Sequence, residues 1–360
     1  MSRGPCPSRM LLVGRVHPPS GGKPSLGADY LPGVSLSEFT AWIARAHPRL
    51  LDIVDLAAPS VDRAARWFRG PNEFDQDSAG GRGHSYRSAQ VEWTARSVGI
   101  TTLLGLAGCF AENGPAVTLD VLGGGGLLAY VYRQLMLRRA RPARDFITGD
   151  LSGHMVAEAL KAGLPAIRQP AQKLLVRDET VDAVLMAYGT HHIPPAERPM
   201  AFAEATRALR PGGRLVVHDF DERSSVSVWF REVVDRYSPS GHSYRHFSEP
   251  EMVQLFADAG YVDVKVHMVF DPFRIVRGSP ADATAALARY VRDMYGLRRS
   301  GGRAPSCTWV TQQMIRHLRL RQEEIRLNLS RLHRVGVYRC CGSYVAELPR
   351  VALVGVGVKP

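Results

Sequence analysis

The stretch Thr118-Leu119-Asp120-Val121-Leu122-Gly123-Gly124-Gly125-Gly126 constrains this chain more than any other. Apolar residues up to Val121 predict a buried strand, and the segment from Leu127 to Leu137 predicts a helix. Four glycines join the two. A strand entering a helix through a glycine turn is how an open α/β sheet brings backbone amides up to a nucleotide-like ligand. Glycine lacks a Cβ, so the turn can take positive φ and a ligand can lie against its amides. Glycine turns also close ordinary strand-to-helix connections, so the weight falls on the residues beyond Gly126.

Those residues alternate between two periods. The periodicity predicts strands over 117–122, 144–149, 165–168, 181–187, 214–219 and 261–270, with helices over 127–138, 153–162, 196–209, 225–236 and 249–259. Arg210-Pro211-Gly212-Gly213 is a turn, Gly260 suits a helix C-cap, and a last strand is expected from Pro349 to Val358. Such alternation builds a parallel sheet with helices on both faces. The fold class is therefore α/β, doubly wound, with a mostly parallel seven-stranded sheet.

Ahead of the sheet, residues 1–34 are rich in Gly, Pro and Ser, and disorder is expected there. Residues 35–114 read as a helical cap or dimerisation region. Short helices at 37–47, 50–57 and 60–69 are broken by Pro48 and Pro59, with Ser37 as the first cap, and a longer helix runs over 85–106. The sheet domain takes 115–272 and 346–360. Residues 273–345 are expected to be a helical insert. Within it Ile315, Leu318, Ile325, Leu329 and Leu332 fall at heptad spacing and predict one amphipathic helix. Its stripe packs either on its own subunit or against a second copy in a homodimer.

The formal charge is +12, and residues 274–339 hold 14 Arg and no Lys against 4 acidic residues. A GC-rich coding sequence accounts for such arginine bias; an acidic carrier protein or an anionic substrate is the functional alternative. Nucleic acid is not an expected partner, because no pattern of stacking aromatics accompanies the arginines. No apolar run approaches the roughly 20 residues that span a bilayer, so no membrane partner and a cytoplasmic location are expected. The five cysteines lack metal-ligand spacing, which fits a reducing compartment and gives no expectation of a metal.

The order of motifs resembles the class I S-adenosylmethionine-dependent methyltransferases, over about 115–270 plus 349–358. Leu119 to Gly126 sits where that family has an acidic-x-Gly-x-Gly-x-Gly signature, and Ile147-Thr148-Gly149-Asp150-Leu151-Ser152 is similar to its second-strand signature. Val181-Asp182-Ala183-Val184 with Tyr188-Gly189-Thr190-His191-His192-Ile193 resembles the fourth strand and its exit. Leu209-Arg210-Pro211-Gly212-Gly213 resembles the turn into the fifth strand, and Ala259-Gly260-Tyr261 the turn into the sixth.

The resemblance implies a Rossmann-like fold and S-adenosylmethionine as cofactor, with S-adenosylhomocysteine as product. Gly123, Gly124 and Gly126 would let the first loop approach the cofactor's amino-acid part. Asp120 would anchor that loop or reach the ammonium, and Asp150 would grip the ribose hydroxyls beside Leu151. The alternative for Asp150 is a helix cap, shared with Ser152. Tyr188 and Tyr86 would flank the cofactor. Two departures stand out. Leu122 occupies the place of the family's first glycine, which should change the turn. Arg168-Gln169-Pro170-Ala171-Gln172 replaces the usual acid near adenine, leaving Gln172 or Gln169 to bond the base.

Ligands of such sheets bind outside the carboxyl ends of the strands. A hydroxyl nucleophile must lose a proton, and His suits that near neutral pH. His191, His192 and His218 are therefore the candidate bases. Asp219, Phe220, Tyr244 and His246 are candidate substrate contacts, with His242 in the same loop. Paired His after the fourth strand also pack or orient that loop without acting as a base. The function expected is methyl transfer to a small molecule, O-methylation of a secondary metabolite in antibiotic-type biosynthesis. Alternatives are C- or N-methylation, a cofactor-bound enzyme of pericyclic type that transfers no methyl, a nicotinamide oxidoreductase reading Gly124 to Ala129, and an Arg-rich binding module.

Overall fold

In the computed structural model, which describes residues 29–70, 72–75 and 81–360, all seven expected sheet strands form. Buried apolar runs make β1 (Val117–Asp120), β2 (Asp145–Asp150), β3 (Ala166–Arg168), β4 (Val181–Met186) and β5 (Leu209–Asp219). After them come β6 (Val262–Phe270), three strands of the insert, β7 (Phe273–Arg277), β8 (Gly336–Cys340) and β9 (Ser343–Leu348), and the closing β10 (Val351–Val358). The central sheet runs β3-β2-β1-β4-β5-β10-β6. Its first five strands are parallel, and β10 lies antiparallel between β5 and β6. Strands covered on both faces read as continuous apolar runs, whereas β6, at one edge, alternates because one of its faces is exposed.

Register positions the site. Asp120 pairs with Thr148 of β2 and with Leu185 of β4. The carboxyl ends of β1, β2 and β4 are therefore nearly level, and the loops leaving them meet at one end of the sheet.

The N-terminal region forms α1 (Leu36–Ala46), α2 (Leu50–Ile53) and α3 (Ala58–Phe68). The cap of α1 is Ser35 and not Ser37: its Oγ accepts the Glu38 amide while Glu38 accepts the Ser35 amide. Of the disorder expected over residues 1–34, the part over 29–34 does not hold. Residues 1–28 lie outside the described residues, but Tyr30, Leu31 and Val34 are buried, and the Tyr30 hydroxyl donates to the Arg168 carbonyl at 2.7 Å. The single helix expected over 85–106 is interrupted. It becomes α4 (Arg82–Gln90), a tight turn at Trp93–Arg96 and α5 (Ser97–Leu106), and the interruption leaves Arg96 buried beside the sheet's carboxyl end.

Helices α6 (Leu127–Arg138), α7 (Gly153–Lys161) and α8 (Arg198–Ala208) connect the parallel strands. After β5, α9 (Ser225–Trp229) passes through a π turn at Phe230–Val234 into α10 (Asp235–Tyr237), and α11 (Glu249–Asp258) precedes β6. Phe230 on the π turn stacks on His242, with ring centroids 4.1 Å apart. Single π turns often sit at functional sites.

The insert is not purely helical. Strands β7, β9 and β8 form a three-stranded antiparallel sheet, and β8 and β9 are joined by Cys341-Gly342, both at positive φ (50° and 82°). That is the backbone a two-residue hairpin turn requires. Helices α12 (Pro280–Met294), α13 (Cys307–His317) and α14 (Gln322–Arg326) complete it. The heptad stripe therefore does not lie on one helix. The chain leaves α13 at Leu318, Arg319 bridges to Arg334, and Ile315 and Leu329 are exposed. The insert instead folds onto α4, where Arg82 donates to the Met294 carbonyl at 2.6 Å and Arg298 to the Ser85 hydroxyl at 2.9 Å. Among the described residues no helix is long and apolar enough to cross a membrane.

Candidate functional site

The loops after β1, β2 and β4 open onto a cavity of about 1340 Å³, counting its solvent-open mouth. Leu122, Gly124, Asp150, Leu151, Tyr188, His191 and His192 line it from the sheet side. Tyr86, Arg96, Met294 and Tyr295 close it from the N-terminal region and the insert.

The glycine loop supplies the first wall. Gly124 and Gly126 take φ of 54° and 84°, so the positions that need left-handed backbone are glycines and Leu122 is not one of them. The departure at Leu122 thus leaves the turn intact, and its side chain becomes part of the cavity surface. The Gly123 amide donates to the Gly149 carbonyl at 2.8 Å, pinning the β1 loop to β2. A Cβ on Gly126 would lie 2.5 Å from Leu164, so this glycine serves close helix packing.

Asp150 ties two loops together. One carboxylate oxygen accepts the Gly124 amide at 2.8 Å and the other the Ser152 amide at 2.8 Å. The cap of α7 is Ser152, whose hydroxyl accepts the Met155 amide, so Asp150 is free of the capping role and faces the cavity. Burial pushes its carboxyl up to about 6 in spite of those two amides. Gln169 lines the same wall; its side-chain oxygen accepts the Leu175 amide, leaving its buried Nε2 without a partner among the described residues. Gln172 also lines it and donates to Glu197 at 2.6 Å.

Arg96 belongs to none of the sequence motifs. Its guanidinium lies over the Tyr188 ring at 3.9 Å and donates to the Tyr86 hydroxyl at 3.4 Å, and its Nε has no hydrogen-bond partner among the described residues. No carboxylate among the described residues pairs with it, so a buried cation faces the cavity. Tyr188 holds a strained backbone, with φ of 62°. Its hydroxyl donates to Asp271 at 3.1 Å, and Asp271 also takes Arg350 at 2.5 Å.

The third wall is imidazole. His191, His192 and His242 all line the cavity. The His191 Nδ1 lies 3.0 Å from Asp219, its backbone amide donates to the same carboxylate at 2.7 Å, and its Nε2 lies 3.2 Å from the Nε2 of His242. Burial lowers His191 below the ordinary range more than Asp219 raises it. Burial, then the neighbouring His191, holds His192 and His242 well below that range. Burial alone would raise Asp219, but His191 and His246 keep it well below the usual carboxylate range. The wall is thus three neutral rings backed by an ionised carboxylate.

Several expected contacts stand behind these walls. Asp120 is fully buried under Gly123, outside the cavity lining, and among the described residues neither carboxylate oxygen has a partner of good geometry despite the nearby Leu122 amide. Burial and then the Asp150 charge raise its carboxyl well above the ordinary range. His218 does not face the cavity: its ring lies 4.3 Å from that of Tyr188, and the Tyr188 amide donates to its Nδ1 at 3.4 Å. It is placed to support Tyr188 rather than to meet an acceptor. Asp219 and His246 form a buried pair, with 2.9 Å between Nδ1 and the carboxylate, and act on the cavity through His191. Phe220 and Tyr244 do line it. Gly123 and Gly126 shape the loop without touching the cavity.

A second unforeseen residue, Arg198, holds the imidazole wall in register. This fully buried guanidinium donates to the Ile193 carbonyl at 3.3 Å, just after the His pair, to the Arg245 carbonyl in the His242–His246 loop, and to Glu251 at 2.6 Å.

Residues 119–217 match the family model described as a methyltransferase domain. The ubiquinone/menaquinone biosynthesis C-methyltransferase of Syntrophotalea carbinolica is 28% identical over 165 residues, covering 42% of this chain and 66% of that protein. The enzyme of that name from Dinoroseobacter shibae is 36% identical over 128 residues, 33% of this chain and 48% of its own length. The chain therefore spans under two thirds of the length of these relatives. Among solved structures, a possible histamine N-methyltransferase of Thermotoga maritima superposes with a TM-score of 0.46 at 16% identity, over 80% of this chain and 98% of that one.

Proposed function

We propose, from the premise that this chain belongs to the class I S-adenosylmethionine-dependent methyltransferases, that it methylates a small-molecule acceptor whose proton is taken at the imidazole wall. The observation that carries this reading is that Asp150, Arg96 and the His191–His192–His242 rings line one cavity.

The residues present fit the cofactor. Asp150 uses one hydrogen bond per oxygen and keeps lone pairs for ribose hydroxyls. Arg96, with an unpartnered Nε, suits the amino-acid carboxylate, and the unpartnered Nε2 of Gln169, beside Gln172, suits a ring nitrogen of adenine. When bound, S-adenosylmethionine supplies an electrophilic methyl on its sulfonium and leaves as S-adenosylhomocysteine.

His191 is the base in this reading. Asp219 accepts its Nδ1 proton, which leaves the Nε2 lone pair on the cavity side, where it accepts from His242 Nε2 at 3.2 Å until the acceptor's O–H takes that bond over. A hydroxyl or enol of the acceptor gives its proton to that nitrogen. Phe220, Phe230 and Tyr244 offer the apolar surface that an aromatic or polyketide-like acceptor would need. We favour an oxygen acceptor in a secondary metabolite. Carbon methylation is the second reading, favoured by the likeness to proteins named as C-methyltransferases; one base serves either, because an enolate is nucleophilic at both atoms.

The test is a mass shift. Protein incubated with methyl-labelled cofactor and a panel of phenols and enolisable ketones should add one labelled methyl to at least one acceptor, and His191→Ala should slow it. Acceptor conversion without a methyl would refute the reading.

A further inference from the structure

We infer that His191, His192 and His242 together bind one divalent transition-metal ion of the zinc class, with its remaining coordination open to the cavity. This rests on the methyl-transfer reading for its role and on geometry alone for its existence. Each ring offers one nitrogen, and these atoms lie within 4.8 Å of one another. The Nε2 atoms of His191 and His242 are 3.2 Å apart. Zinc–nitrogen bonds of about 2.0–2.1 Å at a tetrahedral centre put neighbouring ligand atoms about 3.3–3.4 Å apart. The pair is already spaced as two ligands of one ion.

Three further observations point the same way. The rings stand in a closed triangle, with centroids 4.6, 5.0 and 5.5 Å apart. In the ion-free site His242 Nε2 donates to His191 Nε2, and because the buried Nδ1 of His242 has no partner among the described residues, that proton can move to Nδ1 and free Nε2 for an ion without displacing another bond. Asp219 backs His191 through Nδ1, the carboxylate–histidine arrangement that orients a metal-bound ring and raises its basicity. A competing set, His191 with Asp219 and His246, also has ligand spacing. There Asp219 already accepts the His191 and Phe220 amides and both imidazoles, and the group lies behind the cavity wall. It is the support of the site.

Three imidazole nitrogens with an open position make a catalytic rather than a closed structural centre. The ion takes the lone pairs of the three nitrogens, and neutral His242 then carries its proton on Nδ1. An acceptor oxygen fills the open position, its O–H proton passes to solvent through the cavity mouth, and the metal stabilises the resulting anion. No electron changes hands. The acceptor class is thereby narrowed to phenols, enols and 2-oxo compounds whose anionic oxygen can ligate a metal. In this form the metal does the work that His191 does as a free base.

The test uses untagged full-length protein stripped with chelator and titrated with cobalt(II) chloride, read by visible absorption and calorimetry, with zinc chloride as competitor. One ion per chain with the ligand-field spectrum of a low-coordinate nitrogen site is expected. His242→Ala, His242→Gln and His192→Ala should each weaken cobalt binding by at least about 100-fold, and Asp219→Asn by about 10-fold. Far-UV circular dichroism and S-adenosylhomocysteine affinity should be retained in each. A folded wild-type protein that binds no cobalt at millimolar concentration overturns the inference, as does cobalt binding unaltered by the His242 variants. Cobalt binding without S-adenosylhomocysteine binding upholds the metal site and removes the methyl-transfer reading; the reverse pattern does the opposite.

Discussion

The Asp219 carboxylate accepts both the backbone amide and the Nδ1 proton of His191, at 2.7 and 3.0 Å. One side chain thus fixes where His191 sits and which nitrogen faces the cavity. Asp219→Asn keeps the shape and removes the charge that selects the tautomer. Turnover should fall about 10–100-fold, with S-adenosylhomocysteine affinity unchanged by calorimetry. A variant that loses cofactor affinity and turnover together would mean that Asp219 acts on the fold as a whole.

With Asp150 at the ribose, cofactor binding should be pH-dependent. Its carboxyl is raised from 3.8 to about 6 in the free protein, whereas the ribose hydroxyls are best bound by the ionised form. Affinity for S-adenosylhomocysteine should drop about fourfold between pH 7.5 and 5.5, the loss of ionised fraction for such a group. The stability of the ligand-free protein should run the other way. The folded state holds more protons between 3.8 and 6, so this group's contribution falls as pH rises through that window. Asp150→Asn should flatten both profiles, measured by calorimetry and by denaturant midpoint.

The two left-handed glycines should separate on substitution. Among the described residues a Cβ on Gly124 would meet Tyr86 alone, at 3.7 Å, whereas one on Gly126 would lie 2.5 Å from Leu164. Both alanine variants carry about 1–2 kcal/mol of backbone strain. Gly126→Ala adds the clash and should be the less stable in urea. Gly124→Ala should lose more cofactor affinity, because that amide stands on the cavity and bonds Asp150.

Arg96 should read the cofactor's amino-acid part and nothing else. Arg96→Met should weaken S-adenosylhomocysteine binding about 10–100-fold, the worth of a lost charged hydrogen bond. Affinity for methylthioadenosine, which lacks that part, should be unchanged. Equal losses for both ligands would place Arg96 in the scaffold.

Arg198→Met removes a buried cation that bonds Ile193, Arg245 and Glu251. Glu251 would keep only Arg245, 3.5 Å from its other oxygen, and two carbonyls would lose a charged donor, which should cost about 3 kcal/mol in urea unfolding.

The strands and the parts of the site that lie on strand ends are legible in the sequence. The glycine turn, Asp150 and the His191-His192 pair each follow an apolar run within a few residues, and the topology of parallel strands brings such positions together. The hidden parts depend on long-range approach. His242 is 51 residues from His191 and reaches it through a loop that carries no periodicity. Arg96 faces the cavity only because the expected helix breaks at Trp93. Around Ile315 the heptad spacing points to one helix where the chain makes two. The hairpin at Cys341-Gly342 is hard to read because Cys-Gly is a weak turn signal beside Asn-Gly or Asp-Gly. Leu122 departs from the glycine pattern without altering the loop, because φ at Gly124 and Gly126 carries the turn.

Calorimetric titration of S-adenosylhomocysteine into the 360-residue chain at pH 7.5 tests most directly the proposal that the cavity is a methyl-donor site organised by Asp150. One site per chain is predicted, weakened at least about 10-fold by Asp150→Asn. A folded wild-type protein that shows no binding at millimolar ligand, or an Asp150→Asn variant that binds as tightly as wild type, would contradict it.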